Sequence, residues 1–392
     1  MFYIICLWLF IIILTILLIK QLKINSNYII CFFLTLLIIF FVLDINNSIT
    51  ASIEGCKLWF YSILPTIFPF LVICNLLISY NGIDLYSKIL GPILCKPLGL
   101  SKASAFPITA SILCGYPLGA KYCSDIYKEN FISREEYLRL LNIATNCGPL
   151  FIIGPVAISM LGNIKFAYIL LISNYIAPLI IGFLIRKNAK PLYLEKAISF
   201  HSSNVDFGTK FKTSINDAVK TSITIGAFIV IFSVIISIIK NNTYISIVFY
   251  KLELLLNLEK NSLYSLFLGS IEITNGCSLI SKSYLALPLK LSIISFLCSF
   301  SGICIIAQVS SFISEHKVSL LNYSLLKFIQ GILSFIITFI LSKLTLTSLE
   351  TSSIVSSTTS NFSIYYYIVP TILILFMYLI LKIFNKLLFH IS

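Results

Sequence analysis

The sequence contains apolar runs that are long enough to cross a lipid bilayer, and they constrain the fold more than any other feature. Residues 2–19 and 28–43, for example, carry no charged side chain. A membrane-spanning helix needs about 20 mostly apolar residues, since lipid offers no hydrogen-bond partners to an exposed backbone. Only 11% of the residues are charged, whereas soluble proteins have about 25%. The chain is therefore predicted to be an all-α polytopic protein in the lipid bilayer of a cell membrane.

Nine transmembrane helices are predicted from these runs. They cover residues 2–19, 28–43, 58–80, 138–160, 166–185, 221–239, 286–310, 326–346 and 364–385. The first run has no basic residue before it and no small-residue cleavage site. It is therefore expected to be a retained span rather than a signal peptide.

Two further apolar stretches, residues 103–122 and 264–283, are interrupted by glycine and polar residues. Basic loops of membrane proteins stay in the cytoplasm, and the loops 81–102 and 121–137 on either side of the first stretch are both expected there. This is possible only if 103–122 enters the membrane and returns on the same side. The same reasoning makes 264–283 a second re-entrant hairpin that enters from the opposite side. The basic segment 240–263 then falls outside, which conflicts with the rule.

A weak internal repeat favours two inverted units. Ser52-Ile53 and Ser214-Ile215 each precede a span and lie 162 residues apart, and Cys114-Gly115 has a counterpart in Gly276-Cys277 at nearly the same offset. Similar units of opposite orientation are typical of inverted-repeat transporters. The predicted organisation is two N-terminal transmembrane helices at 1–50, a first repeat at 51–186, a basic cytoplasmic linker at 187–220, a second, inverted repeat at 221–346, and a Ser/Thr-rich loop with a C-terminal transmembrane helix at 347–392.

The first hairpin carries the strongest candidate for a binding site. Gly115, Pro117 and Gly119 break a helix within five residues. A half-helix that starts here points backbone N–H groups and a positive dipole end at its surroundings, which favours an anionic or carbonyl-rich ligand. Tyr116 and Lys121 would add an aromatic ring and an ammonium group. The alternative is a tight turn that only allows helices to pack closely.

The second hairpin holds the next candidate group. Glu272 is its one carboxylate, and acids within membrane segments are costly and usually functional. It is predicted to bind a coupling proton or cation, or to pair with Lys121; in an exposed loop it would only be solvated. Thr274, Asn275 and Gly276 lie at the same tip and complete this group.

A third polar group follows the first hairpin. Asn142, Thr145 and Asn146 are spaced so that they share one face of a helix, and Pro149 then interrupts that helix. Ser301 lies in the equivalent region of the second half. These side chains are candidates for solute binding, with hydrogen bonding between membrane helices as the alternative.

Other functions lack sequence support. No nucleophile elbow, zinc-binding helix or phosphate loop is present, so no enzyme activity is predicted. The eleven cysteines form no C-x-x-C pair and mostly lie in apolar runs, and neither a metal nor a cofactor is expected. The net charge of +13 sits in short loops, which suits lipid headgroups rather than nucleic acid. The charged segment 128–139 is expected to be solvated, with a capping box at Ser133 and Glu136.

Three segments together resemble a known family. They are "WFYSILPTIFPF" (59–70), "CGYPLGAK" (114–121) and "TNCGPLFIIG" (145–154). They resemble the YlbJ (SpoVV) family of sporulation integral membrane proteins, within the nucleoside-recognition or gate-domain membrane proteins, which are similar to concentrative nucleoside transporters. The resemblance covers about 50–345 and marks the first repeat as gate-like.

The resemblance implies transport of dipicolinic acid out of the mother cell, across the outer forespore membrane, during spore formation. Dipicolinate is a flat aromatic dianion, which suits the helix N-termini, Tyr116 and Lys121 of the first hairpin. Alternating access between the two units, with the small anionic solute held between the hairpin tips, is the expected mechanism. A transporter of nucleosides or another organic solute is one alternative. A membrane scaffold for a sporulation complex, without transport activity, is the other.

Overall fold

The computed structural model describes residues 26–80, 82–186 and 206–346, and within them the chain is helical, without β-strands. The predicted spans 2–19 and 364–385 lie outside the described residues, as does most of the predicted linker. An all-α membrane protein is thus confirmed at the level of secondary structure. The predicted number of nine spans is not established by the described part.

The described residues of the first half form ten α-helices, some of them very short. They are α1 (Ser26–Leu43), α2 (Ile45–Leu58), α3 (Leu64–Ser79), α4 (Gly82–Ile89), α5 (Gly91–Leu94), α6 (Ala105–Cys114), α7 (Leu118–Lys128), α8 (Arg134–Ile143), α9 (Pro149–Phe151) and α10 (Lys165–Leu184). A π-helical turn, Trp59–Ile63, joins α2 to α3, and a second π-helical segment, Ile152–Met160, continues α9. Prolines within or next to these segments explain the wider turns, because proline removes a backbone donor.

Residues 206–346, the described part of the second half, form seven α-helices. They are α11 (Phe207–Asn241), α12 (Thr243–Leu255), α13 (Ser262–Ile271), α14 (Ile273–Ser281), α15 (Leu287–Phe300), α16 (Gly302–Ile313) and α17 (Leu320–Leu346). Four stretches of the described chain are long and apolar enough to cross a membrane: α10, α11, the stretch Leu287–His316 and α17. The pair α1 and α2, bent by 102°, makes a fifth when counted as one span.

Several predicted boundaries were wrong. The predicted span 138–160 is not one helix, because α8 ends at Ile143 and four residues separate its cap from α9. The predicted span 286–310 falls within Leu287–His316, which is long and apolar enough to cross a membrane, although the helix breaks at Ser301, whose φ of 76° is left-handed. Residues 207–220 of the predicted linker are the first turns of α11. The residues between the predicted spans 28–43 and 58–80 are mostly helix α2, and the basic segment 240–263 contains α12.

The predicted hairpins at 103–122 and 264–283 are confirmed as broken helices. The first consists of α6 and α7 and extends further than predicted, to Lys128. The second consists of α13 and α14 with only Glu272 between them. Its arms cross at Gly269 and Gly276, where a Cβ on Gly276 would lie 2.1 Å from the Cα of Gly269. Small residues allow such close approach between helices in a membrane.

The core lies between the broken helices. It is formed by the buried apolar faces of α6, α7, α8 and α10 from the first half and of α14, α15 and α16 from the second. Half of the predicted capping box is present at the start of α8: Ser133 Oγ accepts a 3.2 Å hydrogen bond from Glu136 N, but the Glu136 side chain does not return a bond to Ser133 in the described structure. Glu136 itself is not solvated as predicted. Its carboxylate is buried and accepts hydrogen bonds from Ser101 N (2.5 Å) and Ser104 Oγ (2.7 Å), which secures α8 against the start of the first hairpin.

Candidate functional site

The tip of the first hairpin is a sharp break between α6 and α7. Gly115 has a φ of 76°, and the Tyr116–Pro117 peptide bond is cis. Helix α7 begins directly afterwards, and no side chain caps its first turn. A Cβ on Gly115 would lie 2.3 Å from the backbone nitrogen of Gly148. The hairpin break therefore contacts the break between α8 and α9.

The second half repeats this arrangement. Glu272 separates α13 from α14, and Ser301 separates α15 from α16. A Cβ on Gly302 would lie 3.2 Å from the carbonyl oxygens of Gly269 and Ile271, so the two breaks are again in contact. Each half thus pairs a broken hairpin with a broken helix in the same order along the chain. The opposite membrane orientation of the two units stays a prediction.

The two halves meet at Tyr116. Its hydroxyl donates a 2.6 Å hydrogen bond to the carbonyl of Cys298 and a 3.3 Å one to that of Ser299, at the end of α15. Ser301, two residues further on, is fully buried, and its hydroxyl has no hydrogen-bond partner among the described residues. Helix α16 starts there, also without a side-chain cap. We call the contact between Gly115–Pro117 and Cys298–Ser301 the junction.

Glu272 binds its own helix rather than a lysine of the first hairpin. Its carboxylate accepts 2.9 Å hydrogen bonds from the backbone nitrogens of Thr274 and Asn275, and a 2.8 Å bond from the Asn275 side chain. Lys240 of α11 donates a 2.5 Å bond to the Asn275 oxygen. A carboxylate here neutralises the positive end of α14. The predicted pairing with Lys121 was wrong.

Lys121 also has a local partner. Its ammonium forms a 2.7 Å ion pair with Asp125, one turn further along α7, and lies 4.8 Å from the centre of the Tyr122 ring. Both partners lie on the same helix, so this pair belongs to the flank of the hairpin. Of the predicted tip residues, Gly115, Tyr116 and Pro117 lie at the junction. Gly119 lies in the first turn of α7 against the carbonyl of Ala144, the C-cap of α8.

The predicted polar group Asn142, Thr145 and Asn146 lies around the end of α8. Only Asn142 is helical, so the predicted common helix face was wrong. Even so, the group converges on one neighbour, α17. The Tyr323 hydroxyl donates to Thr145 Oγ1 over 3.1 Å. The Asn142 side-chain oxygen is buried without a hydrogen-bond partner in the described chain.

Sequence reasoning missed Lys327, the fully buried cation of this region. Its side chain is 0% exposed and lies at the end of α8, where the helix is broken. It donates to the backbone carbonyls of Thr145 and of Asn142 (3.4 Å), and to Gln330 Oε1 (2.9 Å). Gln330 Nε2 in turn donates to Asn146 Oδ1 over 3.1 Å. A signal was available, because Lys327, Gln330, Ser334, Thr338 and Ser342 recur at helical spacing within an apolar run.

A second missed network joins α10, α15 and α17. Asn174 donates to Ser295 Oγ (3.1 Å) and accepts from Ser299 Oγ (2.8 Å), and Ser295 bonds to Ser334 (2.6 Å). These groups are buried and hold α15 behind the junction. Within the described residues there is no cluster of histidine, cysteine or acidic side chains that fits a metal ion.

Comparison with known proteins confirms the resemblance expected from the sequence. Residues 60–185 match the family model Gate, described as nucleoside recognition. The chain is 27% identical over 342 residues to the sporulation integral membrane protein YlbJ of Bacillus subtilis (strain 168), covering 82% of this chain and 84% of that protein. No solved structure matches the chain significantly.

Proposed function

We propose that this membrane protein transports a small anionic solute by alternating access between its two halves. The observation that carries the proposal is the junction. Two half-helices, α7 and α16, start where the halves meet, and neither is capped by a side chain. The first-turn N–H groups of a helix lack partners within that helix, and with the dipole they attract anions. In α14, by contrast, the Glu272 carboxylate already fills this role.

The proposed site comprises the tip residues Gly115–Pro117, the first turn of α7 and the opposing Ser301. The Ser301 hydroxyl is buried at the junction, at the start of α16, where it can donate a hydrogen bond to an anion. The positive charge of Lys327 lies 5.8 Å from the Tyr116 ring and favours an anion nearby. Two further groups of predicted residues flank this site. One is Thr274, Asn275 and Gly276 in α14, and the other is Asn142, Thr145 and Asn146 at the end of α8 and just after it.

The substrate we propose is dipicolinate. The relative YlbJ is a sporulation integral membrane protein, and the resemblance to its family implies movement of dipicolinic acid across the outer forespore membrane. A flat dicarboxylate suits a site with two uncapped helix N-termini and one tyrosine ring. Net movement out of the mother cell, with a proton or cation as coupling ion, completes the proposal. A nucleoside is the second candidate, because the matched family model is described as nucleoside recognition.

Uptake into proteoliposomes tests the proposal. The purified protein is reconstituted and supplied with radiolabelled dipicolinate or uridine. We expect saturable dipicolinate uptake that falls by about 5- to 150-fold in Tyr116→Phe, since one lost hydrogen bond and an unpaired buried carbonyl together cost about 1–3 kcal/mol. Tyr284→Phe is the matched control, because Tyr284 is 96% exposed.

The outcomes separate the candidates. Saturable uridine uptake without dipicolinate uptake would favour a nucleoside transporter. If neither solute is transported, while a spore-forming strain lacking the protein still fills its spores with dipicolinate, the transport proposal is wrong. A scaffold role would then be favoured.

A further inference from the structure

Lys327 is a buried cation that, within the described part of the chain, forms no hydrogen bond with an acidic side chain. Its side chain is 0% exposed, within the long apolar helix α17. A charged group inside a membrane protein is expensive and persists only where its surroundings compensate it. Its hydrogen bonds to described residues go to uncharged oxygens: two backbone carbonyls and one side-chain amide.

These oxygens form a site of a recognisable type. Asn142 lies in the last turn of α8, and Thr145 follows the helix cap, where the chain is unwound. The last carbonyls of a helix have no partners within it and carry the negative end of its dipole. Unwound carbonyls and half-helix C-termini of this kind bind sodium ions in transporters with broken helices.

The third oxygen is held in place by its own network. Gln330 Oε1 accepts from Lys327 over 2.9 Å, while the amide nitrogen of Gln330 donates to Asn146 Oδ1. Tyr323 meanwhile bonds to the Thr145 hydroxyl, so the segment after α8 is fixed on two sides. The oxygens therefore converge on one position, and the lysine nitrogen occupies it.

An ammonium group has three N–H donors, and the three oxygens use all of them. No donor is left for a solute, so Lys327 does not bind the substrate directly. We infer that the Lys327 ammonium is a built-in cation that occupies a monovalent cation site, and that this protein needs no sodium ion there. A lysine in place of sodium affects ion coupling only if the protein transports a solute as proposed above, but the site itself can be tested without transport.

The test is cation-dependent thermal stability of the purified full-length protein. Wild type, Lys327→Ala and Lys327→Met are melted in equal concentrations of sodium chloride and choline chloride. We expect the wild type to melt at the same temperature in both salts.

Lys327→Ala opens the position and should be stabilised by sodium relative to choline, and should bind ²²Na⁺. Lys327→Met fills the space without a charge and should melt lower in both salts, with no sodium effect. Lys343→Ala, an exposed lysine of the same helix, is the control.

Two results would overturn the inference. One is a sodium-specific stabilisation of the wild type, which can be measured even if no variant folds. The other is a folded Lys327→Ala variant that neither binds ²²Na⁺ nor gains stability in sodium. Neither measurement depends on the solute, so a failed uptake experiment leaves this test intact.

Discussion

Gly119→Ala tests how closely the first hairpin packs on the broken helix beside it. An added Cβ would lie 1.6 Å from the carbonyl oxygen of Ala144. Real Cβ contacts are almost never shorter than 3.0 Å, so α7 must retreat from the end of α8 by about 1.4 Å (3.0 − 1.6) to relieve the overpacking. The obstructing atom belongs to the backbone, and no side-chain rotation removes the clash.

Overpacking a well-packed interior costs about 1–3 kcal/mol, and we expect the upper end of that range at Gly119. For a large chain, about 2–4 °C of melting temperature is lost for each kcal/mol, which corresponds to a drop of at least about 6 °C. The assay is thermal unfolding of the purified protein in detergent, followed by dipicolinate uptake. Uptake should also fall, because the displaced α7 takes the junction with it.

Gly154→Ala is the matched control. A Cβ at Gly154 meets nothing within 4 Å, so this variant should melt within about 1 °C of the wild type, as substitutions without structural consequence do. If Gly119→Ala melts together with Gly154→Ala, the close contact between α7 and Ala144 does not exist in the protein. The junction beside it would then not be tightly packed.

Two further predictions concern the charged residues of the candidate site. Glu272→Ala should destabilise the protein by about 1–2 kcal/mol through loss of the helix cap. Glu272→Gln should destabilise it by about 0.3–1 kcal/mol through loss of charge alone. Identical melting temperatures of wild type and both variants would refute the capping role. Lys121→Ala should cost about 0.5 kcal/mol or less, since its ion pair with Asp125 is partly exposed. Uptake by Lys121→Ala should stay within about twofold of wild type, and abolished uptake would show that the ammonium leaves Asp125 to bind the solute.

The breaks in the helices were predictable, because local chemistry causes them. Gly115 and Pro117 break the first hairpin where the sequence predicts it. The second hairpin also breaks within its predicted range, at Glu272, while the re-entrant orientation of both hairpins stays a prediction. Long-range contacts were not predictable in this way. The charge rule treats every lysine as a loop marker and gives no role to a buried lysine such as Lys327. The unwound carbonyls that hold Lys327 come from residues about 180 positions away in the sequence, a distance that no local pattern spans.

Helix α11 sets where the membrane surface crosses the molecule. Its 35 residues make a rod about 52 Å long, while the hydrocarbon layer is about 30 Å thick. Lys220 and Lys240 enclose 19 residues without charge, a length of about 28 Å that matches this layer. The turns before Lys220 must then stand in the headgroups and the water beyond. In a thicker bilayer, a change of tilt cannot lengthen the uncharged segment between Lys220 and Lys240, because an upright helix already has its greatest span. The lipid must then thin around α11, or the two lysines must be drawn inwards.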